Sequence, residues 1–349
     1  MNSFNVSYVT TLPKEGNAPR VTITGTDPQT YRVIFHDVTN GRATLISSGE
    51  CKTNQTIIAK AKQWYTLWCI TVYDEQNNVV FIDDFDLTNK VAFIKIDAFA
   101  LGDTIAWIPY VEAFRVKHNC VVICSTFHNE ILIKAYPNIM FVKPNTIIEN
   151  VYAQYYVGAI NEENPYYSPI KANKSPLQII AAAILGLPYN EICPNLKTQI
   201  EFIKPNIEGN YVCISEFGSH KDKEWKVEDG WQTIVDFLNS IGYKVVVISK
   251  EPTTLTDVIN KTGDISLFDR MVDLMHADFF IGISSGLSWL SWSVGTHTVM
   301  ISDVTPNFHE FQSNITRINC NDLDAVNYMA EGQSSIENVL EKLGELVLS

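Results

Sequence analysis

Three stretches of this sequence set chemically useful side chains in the backbone context they need. The first is Ile283-Ser284-Ser285-Gly286-Leu287-Ser288-Trp289, which follows an apolar run. A strand that runs into small hydroxyl residues and a glycine at a helix start forms an anion pocket. Unbonded N–H groups and the positive end of the helix face the ligand, and hydroxyls add donors without bulk. The same residues also suit a plain helix N-cap with a close-packed glycine. The second stretch is Ser219-His220-Lys221-Asp222-Lys223-Glu224-Trp225, after the apolar run Tyr211–Ser215. A lysine beyond the carboxyl end of a parallel strand stands where such sheets bind ligands, and it can neutralise a departing diphosphate. Read blandly, the stretch is a solvated charged loop. The third is Leu101-Gly102-Asp103-Thr104. The glycine lets backbone approach a ligand, and Asp103 suits a general base that takes the proton of an attacking hydroxyl. Its alternative is to cap the helix it opens. Asp97 is a second, less well placed carboxylate.

These residues are useful only if the fold brings them together. Before residue 90 the chain reads as β structure, with β-branched and aromatic runs at 21–24, 31–35, 56–58 and 67–72 separated by Asp27-Pro28, Asn40-Gly41 and Gln76-Asn77-Asn78. A small antiparallel sandwich or barrel is expected there, with nothing catalytic in it. From Lys90 the tempo changes to strand, helix, strand: Val91–Ile96, a helix from Asp103 to about Lys117, then Cys120–Cys124, with further short strands at 139–142 and 152–157. That is a βαβ unit with a parallel sheet. Ser175-Pro176 is expected to cap a helix with the proline in its first turn and Gly186 just past its end. The tempo then repeats: strands at 211–215, 244–249, 278–283 and 298–302, helices at 230–240, 266–276 and 336–347. The expected architecture is α/β: two Rossmann-like units, residues 89–185 and 186–349, face a cleft and follow an antiparallel β domain, residues 1–88. All three stretches then lie at carboxyl ends of strands on that cleft. Gly102, Thr104, Trp225 and Glu310 are expected to border it as well.

Bulk properties narrow the function. Apolar residues make up 46% and charged residues 19% of the 349, an ordinary globular composition. The net charge of −13 argues against a protein that coats nucleic acid, although residues 1–170 hold 13 basic and 16 acidic side chains and are nearly neutral. No run is long and apolar enough for a membrane span, and the first twenty residues lack a secretory pattern. The seven cysteines at 51, 69, 120, 124, 193, 213 and 320 form no Cys-x-x-Cys pair. Reduced, mostly buried thiols in a cytoplasmic protein, bacterial or phage-encoded, and no metal site are expected.

Val91 to Phe114, the Ser219–Trp225 loop and the run Ala277 to Trp289 resemble the bacterial heptosyltransferases, most of all the autotransporter protein O-heptosyltransferase branch. Tyr152-Ala153-Gln154-Tyr155-Tyr156-Val157-Gly158 and Thr305-Pro306-Asn307-Phe308-His309-Glu310-Phe311 are similar to that branch too, and the likeness covers roughly residues 88–315. It implies a GT-B glycosyltransferase that inverts the anomeric centre without metal, uses a nucleotide-diphosphate sugar as co-substrate and needs no cofactor. Asp103 would match the base, Ser219 and Lys223 the diphosphate contacts, and Ser284, Ser285, Gly286, Leu287 and Ser288 the nucleotide-diphosphate loop. The branch suggests a protein Ser/Thr acceptor. A hydroxymethylated DNA base and a catalytically inactive nucleotide-binding scaffold are the alternatives. The β domain is a candidate for oligomerisation. Two departures stand out. The lipopolysaccharide branch flanks the loop with aspartate and histidine, where Ser284 and Trp289 stand here. The protein-modifying branch has a C-terminal cysteine cluster that binds iron and helps build a ring, where only Cys320 stands here.

Overall fold

The computed structural model describes residues 1–9, 18–60, 65–158, 170, 175–319 and 333–348. The chain opens with β1 (Ser3–Ser7), β2 (Arg20–Thr24), β3 (Thr30–Asp37), β4 (Thr44–Lys52), β5 (Gln55–Ile58), β6 (Trp68–Tyr73) and β7 (Val79–Asp84). They pair antiparallel in two sheets, ordered β1-β2-β5 and β4-β3-β6-β7. Alternation drives this: Tyr31, Val33 and Phe35 of β3 and Trp68, Ile70 and Val72 of β6 are buried, while their neighbours are less so. β1, β4 and β7 escape a sequence reading because few of their residues are buried on either face. The β layer also reaches into the next sheet. Tyr8 bridges Ala153 in parallel, its N–H donating to Tyr152 O (3.1 Å) and its hydroxyl to Asp83 (2.6 Å).

Next come β8 (Val91–Ile96), α1 (Leu101–His118), β9 (Val121–Thr126), β10 (Ile139–Val142) and β11 (Ala153–Tyr156), a parallel sheet ordered β10-β9-β8-β11. Its strand order reverses beside β8, so a crevice opens beyond the carboxyl end of that strand. α1 starts two residues earlier than the sequence suggests, which puts Asp103 inside its first turn rather than at its cap. α2 (Leu177–Ile184) corrects a second expectation: Pro176 is itself the N-cap, outside the first turn, and no side chain among the described residues caps the helix. Gly186 lies just past the end with φ +62°, as a left-handed terminator should.

The larger sheet contains β12 (Tyr211–Ser215), β13 (Lys244–Val247), β14 (Ile259–Asn260), β15 (Phe280–Ile283), β16 (Thr298–Ile301) and β17 (Ile315–Ile318), all parallel, ordered β14-β13-β12-β15-β16-β17. Counted from β12 this is the Rossmann order, with its switch point between β12 and β15. The covering helices are α3 (Gly230–Ser240), α4 (Leu267–Met275), α5 (Gly286–Val294) and α6 (Ile336–Leu348). Ser266 caps α4 by accepting from Asp269 N–H, and Gly242 and Gly295 close α3 and α5 with positive φ. The short β14 and β17 carry no period long enough to read. The fold class expected from sequence is the one found: mixed α/β, two parallel sheets and N-terminal antiparallel sheets.

All six described cysteines are free. Cys51, Cys120, Cys124 and Cys213 are buried and Cys193 is exposed; Cys320 lies outside the described residues. Among the described residues no helix is long and apolar enough to cross a membrane.

Candidate active site

The two switch points face each other across a cavity of ≈ 530 Å³. From the first unit the loop Phe99–Asp103 and His128 border it; from the second, Phe217–His220, Lys223, Ser284–Leu287 and the pair His309-Glu310 do. The contact that sets their separation is unusually bare. A Cβ on Gly102 would stand 2.9 Å from Trp289 Cδ1, and one on Gly286 would stand 2.8 Å from Leu101 Cβ. Gly102 therefore gives room to an indole of the other unit while bordering the cavity, and the starts of α1 and α5 meet almost backbone to backbone.

The Asp103 carboxyl takes no hydrogen bond from the described residues and does not cap α1, whose N-cap residue is Ala100. Burial pushes its carboxyl up to about 6, with Lys223 and His220 pulling the other way. Removal from water thus outweighs both side chains and the helix end, which favour the ionised form. Asp97, the second candidate, accepts a 2.6 Å hydrogen bond from Ser125 and does not border the cavity.

Opposite Asp103, Lys223 ends a 3-10 turn (Lys221–Lys223) after β12, and its Nζ donates to Ser284 Oγ at 3.2 Å. Ser284 Oγ donates in turn to the Glu310 carboxylate, which is ion-paired with Arg317 Nη1 at 3.0 Å. Glu310 is held below the usual carboxylate range: burial raises its pKa, but His309, Arg317, the Ser284 bond and Lys223 together outweigh it. Ser285 is the N-cap residue of α5, yet its side chain makes no capping bond and its buried Oγ has no partner among the described residues. A cap that does not cap leaves its hydroxyl and the first N–H groups of the helix for something else. Ser219 is exposed at the cavity rim and Leu287 lines it.

Three expected cleft residues lie elsewhere. Ser288 Oγ turns inward and donates to Ile283 O (2.6 Å), so it does not reach the cavity. Thr104 is buried against Thr126 (3.4 Å). Trp225 packs edge-on to Trp231 and donates from Nε1 to Ser334 O (2.8 Å), beside a separate pocket of ≈ 110 Å³. In each case the local pattern fixes the turn but not the face of it that a side chain takes. Sequence reasoning also gave no role to His309, Arg317, Lys250, Glu251 or Arg270. Arg270 donates from Nη2 to Gly263 O (2.8 Å) and Ser249 O (3.3 Å) at the far end of the cavity. The available signal was Thr305–Phe311 within the resemblance.

No family model matches the chain. It is 29% identical over 306 residues to the autotransporter heptosyltransferase Aah of Escherichia coli, covering 79% of this chain and 78% of that protein. The chain is a homologue of the autotransporter heptosyltransferases. These relatives are by name glycosyltransferases, the enzyme class expected from sequence. One further heptosyltransferase relative, BimC of Burkholderia thailandensis, is 28% identical over 275 residues, covering 75% of this chain and 64% of that protein, and is named inactive. The fold matches the crystal structure of TibC, an iron-containing dodecameric glycosyltransferase of enterotoxigenic Escherichia coli, with TM-score 0.79 and 22% identity over 99% of this chain and 96% of the other. A second TibC structure, in complex with ADP-D-β-D-heptose, matches with TM-score 0.75 and 24% identity over 90% and 81%. The GT-B heptosyltransferase-like fold is thus shown. As for iron, no three His, Cys, Asp or Glu side chains among the described residues come close enough to hold a metal ion, and the described residues do not form an iron site.

Proposed function

We propose that this protein transfers heptose from an ADP-activated donor to a hydroxyl of a protein acceptor, inverting the anomeric centre without a metal. The observation that carries the reading is a desolvated carboxylate facing a lysine–hydroxyl anion pocket across one cavity, in a homologue of heptosyltransferases. Residues 89–185 hold the acceptor side and 186–349 the donor side, behind the β domain of residues 1–88.

In the proposed step the acceptor hydroxyl gives its proton to Asp103 as its oxygen bonds to the anomeric carbon from the face opposite the diphosphate. The bond from that carbon to the diphosphate oxygen breaks and its electron pair leaves with the nucleoside diphosphate. Lys223, Ser219, the free Ser285 hydroxyl and the N–H groups at the start of α5 take up the charge that builds there. A base with a pKa near 6 is ionised at neutral pH and still basic enough to accept a proton in the transition state. Lysine and helix end supply the positive potential that a divalent ion gives in other transferases.

The named inactivity of one relative supports a second reading, a nucleotide-binding protein without transfer. Mass spectrometry separates the two. The protein is incubated with ADP-D-β-D-heptose and a Ser/Thr-rich autotransporter passenger in excess chelator. Heptose residues added to the acceptor are expected. Donor binding with no transfer favours the inactive reading, and transfer lost on chelation and restored by iron removes the metal-free mechanism.

A further inference from the structure

Glu310, Ser284 and Lys223 form a chain that runs from a buried ion pair to the cavity wall. The Glu310 carboxylate is fully buried; one oxygen is ion-paired with Arg317 Nη1 of β17 (3.0 Å), and the other accepts from Ser284 Oγ. Arg317 is itself held, since its Nη2 donates to Phe311 O (3.3 Å). Beside that guanidinium Glu310 is ionised, and an ionised carboxylate can only accept. A serine hydroxyl has one proton. Ser284 gives it to Glu310, so the side of Oγ that faces Lys223 is a lone pair. This suits the Lys223 ammonium, which donates to it at 3.2 Å and has no other acceptor among the described residues. The hydroxyl then has no proton left for a phosphate oxygen.

We propose that Glu310 is a positioning residue: by holding the Ser284 proton it keeps a lone pair aimed at Lys223, and so fixes the ammonium at the diphosphate end of the cavity. Ser284 is on this account a spacer between carboxylate and lysine, not the direct diphosphate contact that its place in the loop suggests. The proposal rests on the nucleotide-sugar reading above and adds the residue that holds its cation in place. Arg317 offsets the charge of Glu310, which leaves that of Lys223 for the ligand.

The test is a double-mutant cycle read by calorimetric titration with ADP, with melting curves for every variant. In Glu310→Gln the amide turns its oxygen to Arg317 and its N–H to Ser284, which reverses the hydroxyl and sets its proton against the ammonium. Glu310→Gln and Ser284→Ala are each expected to lose about ten-fold in ADP affinity, because the bond given up is to a charged group. Added to Lys223→Ala, either change is expected to cost nothing further, since the group through which it acts has gone. A merely structural role for Glu310 would lower affinity by the same factor in both backgrounds. That result, or wild-type affinity in Glu310→Gln, overturns the assignment while the nucleotide reading stands. If Glu310→Gln fails to fold, the Ser284→Ala cycle decides the matter by the same criterion. Wild-type protein that binds no ADP, or Lys223→Ala that binds it as wild type does, overturns the diphosphate role of Lys223 and the assignment with it.

Discussion

Two strand-to-helix turns face each other in this molecule, and their differences are more informative than their likeness. β8 runs into α1 over Asp97–Ala100, and β15 runs into α5 over Ser284-Ser285. Both turns end at a helix N-terminus, where backbone N–H groups favour negative charge. The α5 turn accommodates that charge with hydroxyls, a lysine and an uncapped start, and so is ready for an anion from outside. The α1 turn already contains an anion, Asp103, and desolvates it until its pKa rises to about 6. The same strand-to-helix arrangement therefore gives an anion receiver on one side and a base on the other. The outcome depends on whether the anion belongs to the protein or to the ligand.

The comparison breaks most severely at Asp103. Asp103→Asn should cut transfer at least ~10²-fold while leaving donor affinity within a few-fold, since general bases contribute about that much. Turnover above about a tenth of wild type in a steady-state assay would return Asp103 to a structural role. In the wild type, kcat/KM should rise tenfold per pH unit below about 6 and level off above it, as Asp103 ionises.

A smaller effect is expected across the cavity. Lys223→Ala removes the cation 3.2 Å from Ser284 and should weaken both donor affinity and turnover, together by about 10²-fold in kcat/KM. An unchanged kcat/KM with intact donor would make Lys223 a solvated loop residue.

The smallest effect concerns stability. Asp103 is harder to ionise in the folded protein than in the unfolded chain, where the ordinary value is 3.8. Its favourable contribution is complete below that value and is lost as pH rises through about 6, at a cost on the order of 3 kcal/mol. Asp103→Asn does not ionise, so it should melt a few degrees above wild type at pH 7.5 and level with it at pH 4. A difference that does not change with pH would mean the carboxyl is not desolvated.

Much of this site was legible before the fold was known, because strand, small residues and helix start are local features. Asp103, Lys223, Ser284 and Ser285 all border the cavity for that reason. Trp225, Thr104 and Ser288 were misjudged because the face a side chain takes depends on its packing: Ser334, Thr126 and the carbonyl of Ile283 claim them. His309 was missed because nothing near it in the sequence announces a ligand. It is held at the cavity through its carbonyl by the N–H of Leu177, which is remote in the sequence. In the β layer, alternating strands were readable, whereas β4 and β7, with most side chains exposed, were not.

The backbone of one residue joins the halves of the site. Trp107, on the helix of Asp103, donates from Nε1 to Leu177 O (2.8 Å), and Leu177 N–H donates to His309 O (2.8 Å). The link passes through the backbone of residue 177, and its side chain takes no part in it. Any residue except proline offers the same N–H and C=O. The link can therefore be inherited unchanged while the letter at position 177 drifts, leaving no trace in a comparison of sequences.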